Sequence, residues 1–242
     1  MSGLSKAVCY SLPSFSLGFC GPQDKKSRKT LFDFVHGKNV REEKVKKILS
    51  KFEAAYSYYK LIAQKNKIED LFDKRVVEAL WTGNNLLKKV GESDLKKMIL
   101  TDFSRPGLLP KEEAERRAAK VPKGAIAHHS FHVLVLGAVA GRVKLEGELL
   151  DLCRIGWGKI VKIRDKKLKI KYKPLILGKK IKLGREVEKE IGWDEKIVTN
   201  VKVGDWVSFH WACACEVLDG EKVKDLEFWT QKTVSSVNAL SR

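Results

Sequence analysis

The stretch CRIGWGKIVKIRDKKLKIKYKPLIL, residues 153–177, decides how the chain is read. From Gly158 onward apolar and polar residues alternate on both sides of Arg164-Asp165-Lys166-Lys167, the two-residue period of a half-buried β-hairpin. Further along, VGDWVSFHWACACEVL (203–218) reads as a strand or bent strand entered through a Gly-Asp turn, with Asp219-Gly220 as the next turn. Four or five short strands in about 75 residues suggest a small closed barrel of the OB type, because a flat sheet of that size leaves its edges open. Residues 226–239 are predicted to form a terminal helix or strand.

Upstream the period is different. From Arg41, Val45, Ile48, Leu49, Phe52, Ala55, Tyr56 and Tyr59 recur at spacings of three and four, the apolar face of one amphipathic helix. Asp73 caps a second helix over VVEALWTGNNLLKKV, weakened at Gly83-Asn84 and stopped at Gly91. A short charged helix, KEEAERRAAK, is closed by Pro122, and GAIAHHSFHVLVLGAVAGRV (124–143) reads as a buried helix. The expectation is therefore an α+β chain with a mostly helical domain over residues 1–150 and a small OB-like β-barrel domain over residues 151–242.

Composition narrows the classes. Of 242 residues, 43% are apolar and 32% charged, enough to build a core, which excludes disorder. The longest apolar stretch, Val133–Val143, contains Gly137 and Gly141 and falls short of the roughly 18 residues of a membrane span. No basic start followed by an apolar core marks a secretion signal, so the cytoplasm is expected, with five free thiols rather than a disulfide frame. The net charge is +18; 37 of the 48 cations are Lys, and there are only three Gln and six Asn, a balance that suggests a thermophile's surface. It also raises nucleic acid as a partner, although only Tyr172 interrupts the lysines of KKLKIKYK, so a solvated face is the stronger reading.

Certain side chains carry chemistry. Cys153 lies just before the first strand beside Arg154 and Lys159, whose charge would favour its thiolate, a soft metal ligand; the plain alternative is a buried small hydrophobe. His128, His129 and His132 are the densest titratable cluster, and on a helix His128 and His132 share a face, the spacing by which two imidazoles grip one metal. A third ligand would come from elsewhere, Cys20, Asp24 or His36. Cys20 with a distant histidine could instead be a nucleophile and base. Cys213 and Cys215 are two apart and, on a strand, point to one face as a thiol pair or as barrel filling.

Residues 153–235 resemble the small nickel-iron hydrogenase maturation chaperones, the HypC/HupF family, in two hallmarks. One is a Cys preceding a Lys-Ile-Val strand; the other is Gly-Asp-aromatic-Val-x-x-His running into Glu-x-x-Asp. Cys153, Gly158, Gly204, Asp205, His210, Glu216 and Asp219 fall on matching positions, whereas the family's Cys follows the initiator Met and its Pro is Trp157 here. The resemblance implies that Cys153 ligates an iron carrying cyanide and carbon monoxide, with His210 beside it. The partners it implies are a maturation scaffold protein and the hydrogenase large-subunit precursor. FCGPQD, DKRVVEALWTGNNLL and HHSFHV resemble an uncharacterised prokaryotic family. The expected function is an accessory or chaperone of hydrogenase metallocentre assembly rather than an enzyme. Two other classes compete with it: a nucleic-acid-binding barrel, and a metal- or thiol-dependent enzyme using His128, His132 and Cys20.

Overall fold

The computed structural model describes residues 1–240. Helices α1 (Gly3–Ser16), α2 (Lys25–Val35), α3 (Glu42–Leu49), α4 (Ala55–Asn66), α5 (Lys74–Trp81), α6 (Glu92–Met98), α7 (Lys111–Ala119), α8 (His129–Phe131) and α9 (Glu148–Cys153) precede the strands. Strands β1 (Gly156–Arg164), β2 (Lys167–Tyr172), β3 (Leu175–Ile176), β4 (Lys182–Leu183), β5 (Val187–Gly192), β6 (Trp206–His210) and β7 (Cys213–Leu218) follow, and α10 (Gly220–Leu240) ends the described chain. The α+β composition expected from the change of period is the one observed.

The hairpin at 164–167 forms as its alternation dictates. Arg164 pairs with Lys167, and Asp165 and Lys166 both adopt positive φ, the two-residue turn whose twist matches that of the strands. Strands β1-β2-β5-β7-β6 form a closed barrel, in which β5 meets β7 through one parallel pair, Gly192 with Cys213. Its interior is filled by Ile160, Leu168, Ile170, Ile191, Val207 and Phe209. The segment 203–218 is two strands, not one: Trp211 and Ala212 take positive φ and turn the chain between the paired His210 and Cys213. Asp219 then caps a long helix, its carboxylate accepting from Lys222 N at 2.9 Å, so the terminal segment is helical.

Three upstream expectations need correction. The run from Arg41 is two helices, because the chain turns at Phe52, whose ring packs edge-on to Phe15 at 5.2 Å. The element at 124–143 is only one turn of α-helix. It passes into a π-turn in which His132 O accepts from Gly137 N at 2.7 Å, and then into an irregular loop. Cys213 is exposed and Cys215 buried, since a bulge opposite Ser208 and Phe209 breaks the alternation that would have put both thiols on one face.

The core is shared between the two halves. Helix α1 is buried almost all round and packs against α5 and α2 on one side and β6 and β7 on the other. One apolar cluster runs from Leu4 through Trp81 to Ile155, Trp157, Leu218 and Trp229. The expected boundary at residue 150 thus falls inside α9, and the change from helices to strands, at Gly156, lies within a continuous interior.

The start of β1 is tightly constrained. Gly156 pairs with Phe209, and a Cβ there would lie 2.2 Å from the Phe209 ring. Gly156→Ala must push that ring into a filled barrel, so its unfolding free energy drops by about 1–3 kcal/mol. Denaturant titration showing a loss below about 0.5 kcal/mol would mean that the barrel repacks freely there.

Candidate metal centre

Three elements from the two halves bring ligand atoms to one point. His129 opens α8, Cys153 ends α9 and His210 ends β6; all three are buried, and one ligand atom from each lies within 4.8 Å of the others. A tetrahedral ion with bonds of about 2.0–2.3 Å holds its ligands roughly 3.3–3.8 Å apart, so about 1 Å of side-chain adjustment forms a three-ligand site. Imidazole with thiolate suits zinc, copper, iron or nickel.

The hydrogen bonds around these rings leave the required lone pairs free. His210 Nδ1 lies 2.7 Å from Tyr10 O; a carbonyl only accepts, so Nδ1 carries the hydrogen and Nε2 the lone pair. Nε2 is buried and has no partner. By the same argument His129 Nε2, 3.0 Å from Cys153 O, donates to it, and the free lone pair of that ring is on Nδ1. Backbone carbonyls that fix the tautomer in this way are the usual outer support of metal-binding histidines.

Burial keeps the imidazoles neutral, which is their ligating form. It pulls His210 and His132 down to about 4 and His128 to about 3, and holds His129 well below its ordinary value, with His210 adding to that last shift. Burial likewise drives the Cys153 thiol far up, with Cys20 adding to it and Trp211 opposing. Cys153 is therefore a buried thiol, the plain alternative weighed for it, and not a thiolate favoured by the two cations beside it in sequence. Arg154 turns away to Asp151 at 2.8 Å and to Lys173 O at 2.7 Å, and Lys159 points to solvent.

The ligands face a cavity of about 50 Å³, on the order of a few water-sized groups. Its walls come from the α1–α2 junction with Phe19 and Cys20, the turn at Phe52 to Ala55, Tyr58, and the loop 137–147 with Val139, Val143 and Leu145. Trp211 leans over Cys153 from the β6–β7 turn, held with φ 49°, a region where a bulky side chain is rare. Phe19 packs on it at 4.8 Å.

A clasp closes the loop over this cavity. Arg142 donates to Gly21 O at 3.0 Å and pairs with Glu53 at 2.5 Å, and Glu53 accepts from Gly21 N at 3.0 Å. Gly21 has φ +78° and lies so close to Phe52 that a Cβ would sit 2.7 Å from its ring, so glycine is required there. Arg117 anchors the other end of the loop through Leu136 O and Ala138 O, at 2.7 and 3.0 Å.

The remaining sequence candidates have other places. His128 precedes α8 in extended conformation and caps it, its Nδ1 accepting from Ser130 N, so it does not share a face with His132. His132 and Cys20 line the cavity, and burial pushes the Cys20 thiol up to about 11. Asp24 caps α2 at the surface, and His36 pairs with Asp194 at 2.8 Å. Asp205 accepts from Lys202 N in an exposed turn with Gly204, and Gly158 lies inside β1. Glu216 belongs to an ionic cluster with Lys6 and Lys222. Tyr58 and Trp211 carry no sequence signal of their own; only adjacency to His210 marks Trp211.

Among the described residues no helix is long and apolar enough to cross a membrane. No curated protein and no solved structure matches the chain, so the HypC/HupF resemblance of residues 153–235 rests on the residues quoted for it alone. A match does span both halves: residues 2–242 fit the family described as "Family of unknown function (DUF6390)", and the chain belongs to that family.

Proposed function

We propose that this protein is a metal-handling accessory of nickel-iron hydrogenase assembly, receiving an iron ion with small ligands at His129, Cys153 and His210 and passing it on. The observation that carries the reading is the meeting of Cys153 with His210, two positions 57 apart in sequence that the HypC/HupF resemblance singles out, at one buried point. Two features support it. The strand order β1-β2-β5-β7-β6 is that of an OB-type barrel, and a thiolate with two imidazoles leaves coordination positions open toward the cavity for ligands that travel with the iron. In this reading the partners are a scaffold protein that shares the iron and the large-subunit precursor that accepts it.

The test is anaerobic purification of the full chain from a hydrogenase-bearing host, with metal analysis, infrared detection of cyanide and carbonyl stretches, and identification of retained proteins. The expected result is one metal per chain and retention of maturation proteins, both lost in Cys153→Ala. Absence of metal after incubation with ferrous, cobaltous, nickel and zinc ions, or identical partners for wild type and Cys153→Ala, overturns the reading. The open positions also favour a second one, a metal-dependent enzyme, since catalytic zinc sites keep three protein ligands and an open fourth position. Bound zinc without diatomic ligands would favour that alternative.

A further inference from the structure

Four side chains lining the cavity each carry a buried polar atom without a nitrogen or oxygen hydrogen-bond partner: Tyr58 Oη, His132 Nδ1, His210 Nε2 and Trp211 Nε1, the last facing only the weakly accepting Cys153 sulfur. The four residues are 1%, 6%, 1% and 8% exposed, so bulk solvent does not satisfy them. Native interiors hold few such groups, and four around one void form a constellation that a ligand would complete. Their rings make an arc with His129: Tyr58 to His132 at 5.8 Å, His132 to His129 at 5.9 Å, His129 to His210 at 5.2 Å and His210 to Trp211 at 6.3 Å.

A metal ion accounts for His210 Nε2 alone. Of the other three, an indole N–H only donates and a phenol O–H readily donates, so Tyr58 and Trp211 call for an acceptor; His132 adds a third polar contact whose sense follows its tautomer. The void admits a few heavy atoms at most. We propose that Tyr58, His132 and Trp211 form a recognition subsite for a compact anion of two or three heavy atoms, bound at the metal's open position and held at its far end by these donors. This rests on the metal reading above and adds the class of ligand that the metal takes.

The probe is azide, titrated into the full chain loaded with cobalt(II) and followed through the visible bands of the metal. Wild type is expected to give a saturable spectral change. Tyr58→Phe keeps the ring and Trp211→Phe replaces the indole by a smaller ring without the N–H; each is expected to weaken azide about tenfold, and the azide-free cobalt spectrum of Tyr58→Phe stays the same. Tyr59→Phe serves as the control, because the Tyr59 hydroxyl already accepts from Trp81 Nε1 at 2.6 Å and has no part in the subsite. Cobalt that binds without responding to azide, or an azide affinity untouched in both variants, overturns the subsite and leaves the metal site standing, with water as the only occupant of the void. Failure of cobalt to bind removes both.

Discussion

Replacing Lys6 with methionine is expected to lower the unfolding free energy by about 3–5 kcal/mol, the cost of stranding buried carboxylates. Lys6 is 1% exposed in the first turn of α1, and its ammonium reaches Glu216 on β7 and Glu78 on α5, the latter at 3.0 Å. Lys222 at the start of α10 contacts the same two carboxylates at 2.6 and 3.3 Å, and the Tyr10 hydroxyl donates to Glu216 at 3.2 Å. Two ammonium groups and two carboxylates thus join four elements drawn from both halves of the chain. Burial alone would raise the Glu216 carboxyl, but Lys6 and Lys222 outweigh it and hold the group below its ordinary 4.5. A depressed carboxylate contributes stability that is fully present above its unfolded-state value and is lost as pH falls through the folded one. Wild type should therefore keep its stability down to about pH 4.5 and lose it below, whereas the deficit of Lys6→Met should shrink as pH falls, because the Glu216 carboxyl, with less to offset its burial, takes up a proton more readily in the folded chain than in the unfolded one. Denaturant melts at pH 7 and pH 5 measure both effects. The double variant Lys6→Met/Glu216→Gln should recover part of the loss, because removing both members of a buried pair costs less than removing one. A single-variant loss under about 1 kcal/mol would show that water reaches this cluster.

His210→Ala is expected to cut metal affinity by roughly 100- to 1,000-fold. Structural zinc sites bind with about 10–16 kcal/mol over four ligands, or about 2.5–4 kcal/mol for each. Competition against a chelator of known affinity reads this directly. Unfolding should move as well, because a buried ring is lost together with its Nδ1 hydrogen bond to Tyr10 O, so affinity is read under conditions where the variant is folded. Equal affinity in wild type and variant would assign the imidazole to packing alone, in the company of Trp81 at 5.7 Å.

The sheet was legible because its signal is local. Alternation around Arg164–Lys167 needs only neighbouring residues, and so does the capping of a helix by Asp73, seen in its carboxylate accepting from Arg75 N at 2.8 Å. Helix α1 escaped notice for the opposite reason. Lys6 and a scatter of serines break its apolar pattern, and what makes them tolerable inside, Glu216 and Glu78, lies 210 and 72 residues away. The site shows the same division. Cys153 and His210 could be named from short motifs, and His129 only as a member of a cluster. The helical spacing of His128 and His132 misled, because the element is a single turn that runs into a π-turn and leaves His129 facing Cys153. Tyr58, which the apolar spacing of its segment does not include, reaches the cavity because the chain breaks at Phe52.

If the site carries an ion as proposed above, the clasp of Arg142 over Gly21 and Glu53 separates two properties that such a carrier must balance. How hard an ion is gripped depends on the sulfur and the two imidazoles; how fast it comes and goes depends on the strap between Gly137 and Gly147, secured by an ion pair whose side chains are 29% and 15% exposed. Salt screens that pair more than it touches the coordination bonds. Ionic strength, or a docking protein that offers Arg142 a better carboxylate, would then hasten uptake and release together and leave the resting preference for the ion where it was, so that timing is governed from the rim and fidelity from the floor.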